Sequence, residues 1–162
     1  MRLTDIRTLV VPALLCIATA AAADEAGQPV LRGLLTNGNT FHLQQHVGKV
    51  VMINFWATWC PACRADYPVW QKVYERYRER GLEIVAVSID RNEADLARFE
   101  QQHGYTIPIL WRFDERERDS FPAIRKTPTT YFIAPDGTVA LVQTGRTTED
   151  QLADILEVLL PE

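Results

Sequence analysis

The segment Cys60-Pro61-Ala62-Cys63 holds the two side chains best suited to chemistry. Two thiols three residues apart share one face when the chain turns into a helix. Pro61 favours that turn, because proline at a first helical position loses no needed N–H donor. A cysteine just ahead of a helix meets unsatisfied N–H groups and the positive end of the helix dipole. Both favour the thiolate, so the pKa of Cys60 is expected to be lowered. The thiolate is the form that attacks a disulfide. Cys63, one turn inside, is placed to resolve the mixed disulfide. Pro61 and Ala62 stiffen the turn between them.

Other uses of two cysteines are less well supported. A c-type haem site needs histidine after the second cysteine, and Arg64 stands there. A closed zinc site needs four ligands, and only the distant His42, His46 and His103 could complete one. A structural disulfide would close a very short loop, and short loops stabilise least. A copper or zinc module using the thiolates as soft ligands stays open as a different class of function. It would bind metal stoichiometrically and exchange no disulfides.

The elements around the motif follow from patterning. Val50 to Trp56 is a nearly continuous apolar run, as expected of a strand buried on both faces. A helix should start at Pro61, carry Val69, Trp70, Val73 and Tyr77 on one stripe, kink at Pro68 and end at Gly81. Before the strand, Val30–Leu35 and Thr40–Leu43 flank Asn37-Gly38-Asn39, a hairpin signal. After the helix come a strand over 82–89, a helix capped by Asn92 and ended by Gly104, and a strand over 107–113. The charged stretch Asp114–Asp119 is expected as a solvated loop or helix start. Strands over 129–134 and 138–144 are joined by Pro135-Asp136-Gly137. Thr148 and Gln151 form a capping-box pattern ahead of a final amphipathic helix. The fold class is α/β with a mixed central sheet flanked by helices and an N-terminal β-hairpin.

Asn54-Phe55-Trp56-Ala57-Thr58-Trp59-Cys60-Pro61-Ala62-Cys63-Arg64 resembles the active site of thioredoxin-like proteins of the TlpA/ResA type, relatives of DsbE/CcmG. Thr127-Pro128-Thr129 resembles the cis-proline loop that faces the cysteines in that fold, and Pro68 matches its helix-kinking proline. The likeness covers about residues 30–160. It implies a thioredoxin-like fold, with Cys60 as the attacking thiolate and Cys63 as the resolving thiol of a redox-active disulfide. Pro128 would be cis, Thr127 would offer backbone hydrogen bonds to an extended substrate, and Trp59 would shield the sulfurs. Plain core packing is the other reading of Trp59 and the favoured one for Trp56. Thioredoxin carries a buried Asp where Asn54 stands. Proteins of the TlpA/ResA type often place a Glu three residues after the second cysteine, where this chain has Asp66. Asp66 is read either as a proton acceptor that tunes the cysteines or as an exposed helix-surface acid near Arg64.

The whole chain bounds these readings. At 162 residues, with 47% hydrophobic and 23% charged residues, it has the size and composition of one globular domain. Its net charge of −4 argues against nucleic acid as a partner. A weakly basic start and an uncharged Leu9–Ala23 ending in small residues read as a cleaved secretory signal over 1–23, or else an uncleaved anchor. Cleavage would remove Cys16 and leave one cysteine pair, after a disordered lead-in over 24–29 and ahead of a domain over 30–162. The setting is then periplasmic or otherwise extracytoplasmic. A reduced dithiol in such a compartment needs an electron supplier. The resemblance implies a membrane thiol reductase of the DsbD/CcdA type as that supplier. It implies disulfides of exported proteins as substrates, such as apocytochrome c, in cytochrome c maturation, or copper-site proteins. The same cysteines could instead run as an oxidase or isomerase. No cofactor and no metal are expected, and a monomer is the default.

Overall fold

The computed structural model describes residues 28–114 and 117–161. The signal or anchor expected over 1–23 lies outside them. Gln28 and Pro29, expected in the lead-in, are tied to the body. Gln28 Nε2 donates to the Asp136 carbonyl at 2.6 Å, and Gln44 Nε2 donates to the Pro29 carbonyl at 3.1 Å.

The centre is a five-stranded mixed sheet. Its strands are β3 (Val50–Trp56), β4 (Leu82–Ser88), β5 (Ile109–Trp111), β7 (Thr129–Ile133) and β8 (Val139–Thr144), in the order β5-β4-β3-β7-β8. β3 pairs parallel with β4 and antiparallel with β7. The parallel steps are made by α1 (Pro61–Tyr77) and α2 (Glu93–His103). Both steps run the same way along the sheet, so right-handed crossovers put both helices on one face. The final helix, α3 (Glu149–Leu159), adds Leu152 and Leu156 to the core on that face.

β3 shows why the sequence reads as one apolar run. Val50, Met52 and Trp56 join the core under the helices, while Val51, Ile53 and Phe55 join the core on the opposite face. Every residue of β3 is buried. The second face is covered by a small sheet in the order β2-β1-β6, with β1 (Leu31–Leu34), β2 (Thr40–His42) and β6 (Arg118–Asp119). Leu31, Phe41 and Leu43 pack there against Ile53, Phe55 and Val87.

Local signals behave as expected at most element ends. Asn92 Oδ1 accepts from the Ala94 N–H at 3.0 Å, and Gly104 ends α2 at φ 62°. Thr148 and Gln151 complete a reciprocal capping box on α3. α1 runs through Pro68 as one helix and closes through a 3-10 turn, Arg78–Arg80, at Gly81.

Two readings need correction. The strand expected over 107–113 shrinks to Ile109–Trp111, and Phe113 stands 54% exposed. Pro108 cannot donate to a ladder; its carbonyl instead accepts from the Ala86 N–H at 2.9 Å. The charged stretch before Phe121 is no free loop at its end. Arg118–Asp119 pairs with β1, and Asp119 grips Arg112 through two bonds of 2.6 and 2.8 Å. Local neutralisation lets these charges sit at a sheet edge. Among the described residues no helix is long and apolar enough to cross a membrane.

Candidate active site

Cys60 is the N-cap of α1. Its backbone is extended, at φ −86° and ψ 110°, and its Sγ accepts from the Cys63 N–H at 3.2 Å. That is the place an Asp or Ser oxygen usually takes, so a helix-end donor already points at this sulfur. Cys60 and Cys63 are joined as a disulfide with Cα atoms 5.3 Å apart. Cys63 is wholly buried and Cys60 is 4% exposed. Pro61 occupies the first helical position and is exposed.

The approach to the helix is braced. Between β3 and Cys60 the chain turns tightly, with the Cys60 N–H donating to the Ala57 carbonyl at 3.1 Å. The buried Asp90 holds this turn from the end of β4. Its carboxylate accepts from the Thr58 N–H at 2.9 Å, the Thr58 hydroxyl at 2.6 Å and the Ser88 hydroxyl at 2.7 Å. Trp111 Nε1 donates to the Asp90 carbonyl at 2.6 Å. Sequence reasoning missed Asp90 and Thr58. Only a carboxylate just past the end of a buried strand hinted at them.

Opposite the sulfurs, the Thr127–Pro128 peptide bond is cis. The Thr127 carbonyl oxygen lies 3.6 Å from Cys60 Sγ. The Pro128 carbonyl accepts from the Gly145 N–H at 2.8 Å, where Gly145 has φ 91°. The loop after β8 thereby supports the proline loop.

Asp66 is buried, at 1% exposure, and not a surface acid beside Arg64. It lies one turn beyond Cys63 on the buried stripe of α1. Its Oδ1 accepts from Arg146 Nε at 2.6 Å, while its Oδ2 is buried with no hydrogen-bond partner. Arg146, which sequence reasoning also missed, comes from the loop after β8. Next to Asp66, burial pushes the Tyr67 hydroxyl pKa far up, aided by Glu100 and Tyr105. Tyr67 therefore stays neutral. Asn54 lies on the same face of β3 as Met52 and Trp56, the face under α1, by alternation. Its Oδ1 accepts from the Thr130 hydroxyl at 2.6 Å.

The two tryptophans of the motif part ways. Trp56 is core, with its ring 4.9 Å from Tyr67 and 4.7 Å from Phe99. Trp59 is 62% exposed and forms one wall of an open groove of about 530 Å³. Ile89, Phe113, Ala123 and Ile124 line it further. Among the described residues no group of three or more His, Cys, Asp or Glu could hold a metal ion.

This arrangement allows one sulfur to attack from a helix N-terminus while an extended chain lies along the Thr127 backbone. The AhpC/TSA family matches residues 22–142. The chain is 39% identical over 124 residues to the thiol-disulfide oxidoreductase ResA of Oceanobacillus iheyensis, covering 76% of this chain and 64% of that protein, just under two thirds of its length. ResA of Halalkalibacterium halodurans is 35% identical over 143 residues, covering 88% of this chain and 80% of that one. The fold matches a thioredoxin-family thiol:disulfide interchange protein from Chlorobium tepidum at a TM-score of 0.71 and 23% identity, over 83% of this chain and 96% of that one. The family match, the extent of sequence identity and the shared scaffold agree: the chain belongs to the AhpC/TSA family, among its thioredoxin-folded thiol-disulfide oxidoreductases.

Proposed function

We propose that the protein is a reductase of disulfides in proteins outside the cytoplasm. The observation that carries this is Cys60 Sγ at the N-cap of α1, 3.6 Å from the Thr127 carbonyl. A substrate strand can pair with that backbone while its disulfide meets the sulfur.

The reaction starts from the dithiol. The Cys60 thiolate attacks one substrate sulfur; the substrate disulfide breaks, and the departing sulfur takes a proton. Cys63 then loses its proton and attacks Cys60 Sγ. The second substrate thiol leaves, and the Cys60–Cys63 disulfide forms. Two electrons have passed to the substrate. A membrane thiol reductase of the DsbD/CcdA type would restore the dithiol by the same exchange in reverse. Apocytochrome c and copper-site proteins are the substrate classes the resemblance favours. Export by the N-terminal segment and action as a monomer complete the reading.

In this reading Asp66 takes the Cys63 proton, and two features support it. Its Oδ2 is free of hydrogen bonds, and it sits one turn along the same buried stripe. Arg146 steadies the other oxygen. Pro61 and Ala62 shape the turn, and Trp59 directs approach from the groove side.

A redox titration against dithiothreitol and glutathione tests the direction. A potential near thioredoxin's, ~−270 mV, is expected; one near DsbA's, ~−120 mV, assigns the oxidising direction instead. Cys63→Ser should accumulate mixed disulfides with substrates, and Cys60→Ser should form none.

A further inference from the structure

The chain as a whole is acidic, with 21 Asp and Glu against 17 Lys and Arg. The edge of the groove walled by Trp59 reverses that balance. Arg91 lines the groove beside Trp59 and Phe113. Ala123 and Ile124 separate it from a second hollow of about 280 Å³, which Arg125 and Lys126 line up to Thr129. Arg91, Arg125 and Lys126 are all exposed. None of the three makes an ion pair among the described residues. Arg64, exposed on the first turn of α1, adds a further cation close to the dithiol.

Among the described residues, three nearby carboxylates are committed elsewhere. Asp90 is buried under Thr58 and Ser88, and Asp119 is held by Arg112. Asp114 is half-buried and engaged. Glu93, at the start of α2, is a further acid close in sequence to Arg91, and among the described residues the two form no ion pair. Two large apolar side chains stay open in the groove that Arg91 lines: Trp59 at 62% exposure and Phe113 at 54%. Isolated exposed apolar groups are ordinary, but a pair facing one groove beside a reactive sulfur marks a contact surface.

Resting on the reductase reading, we infer that this surface selects substrate segments with carboxylates flanking the target disulfide and an apolar residue beside it. The apolar side chain lies between Trp59 and Phe113. The flanking Asp or Glu residues meet Arg91 on one side and Arg125 with Lys126 on the other. Exposed charges of this kind act mainly on the rate of productive encounter and on the rejection of like-charged partners. Chains with basic flanks are therefore turned away from the same sulfur.

Three matched peptides test this, each with one internal disulfide and the same neighbouring leucine, flanked by Glu, Ser or Lys. The reduced protein should act on the Glu peptide with kcat/KM about ten-fold above the Lys peptide at low salt, with the Ser peptide between. The ratio should contract toward one as added salt shortens the Debye length to about 3 Å near 1 M. In the double variant Arg91→Glu with Arg125→Glu the order should reverse. Should that variant fold poorly, Arg125→Gln with Lys126→Gln should at least halve the ratio. Equal rates on all three peptides, a ratio indifferent to salt, or an order that survives charge reversal would overturn the inference. Reduction of neutral bis(2-hydroxyethyl) disulfide by the wild type separates the two readings. If that small disulfide reacts but the peptides do not differ, only the groove assignment falls. If neither it nor any peptide reacts, the reductase reading falls.

Discussion

Each residue of the site faces a different compromise between burial and polarity. Asp66 is a buried carboxylate whose one charged partner among the described residues, Arg146, is 63% exposed through its side chain. Removing one partner of a buried pair strands the other charge. Arg146→Gln should thus cost about 1–2 kcal/mol in urea unfolding, below the full buried-pair figure because solvent reaches the guanidinium. Asp66→Asn tests chemistry more than stability. If Asp66 takes the Cys63 proton, the variant should change the pH profile of the resolving step while attack by Cys60 keeps its own. An unchanged profile, followed by alkylation or by decay of a mixed disulfide, would leave Asp66 a purely structural role. Asp90 is held by three donors from Thr58 and Ser88, and an amide oxygen can serve fewer of them. Asp90→Asn should cost about 1–2 kcal/mol, read from urea midpoints of the oxidised protein.

Among the elements, the strand-to-helix junction does the positioning, and the capped helices hold the frame. Thr148→Ala removes the hydroxyl half of the α3 capping box and should lower stability by about 1 kcal/mol, seen as a shift in the urea midpoint without a change in slope. What the sequence disclosed follows the range of the forces involved. Asn92, Gly104, Thr148 and the Cys60–Cys63 spacing act within one turn, so their local pattern was enough. β3 was readable because a nearly continuous apolar stretch has few other homes. β6 was not readable: Arg118 and Asp119 form a strand because β1 lies alongside and Arg112 neutralises Asp119. The same holds in the site. Asp66 could be found by counting along its helix from Cys63. Arg146 and Asp90 act across the fold from other elements, and no periodicity points to them.

At the scale of the molecule, two titrating groups pull stability in opposite directions near neutrality. Burial lowers the His46 pKa below 6.5, more than Glu83 raises it, with Lys49 adding to the lowering. The unfolded chain then takes up that proton first, so this contribution is complete above pH 6.5 and fades as the pH falls below it. Glu117 is the reverse case. Burial, with the hydrogen bond and charge of Asp119, pushes its carboxyl up from 4.5 to about 7. Its contribution is complete below pH 4.5 and is lost as the pH rises through about 7. Between pH 5 and pH 6.5 the two contributions therefore oppose each other, and above pH 6.5 the loss from Glu117 continues alone. Glu117→Gln should be the more stable protein at pH 8, by about 1 kcal/mol after solvent screening, and match wild type near pH 4.5. His46→Gln should lose less stability than wild type between pH 6.5 and 5. Urea midpoints at these pH values check both signs.

The recessed position of Cys60 has a consequence for timing. Only 4% of this residue reaches the surface, beside a tryptophan that is 62% exposed. A finished, rigid neighbour presents its disulfides on convex surfaces that cannot dip to that depth. A chain still slack enough to bend inward can. On the proposed reductase reading, such an enzyme would act on polypeptides before they set rather than on the mature proteins around it.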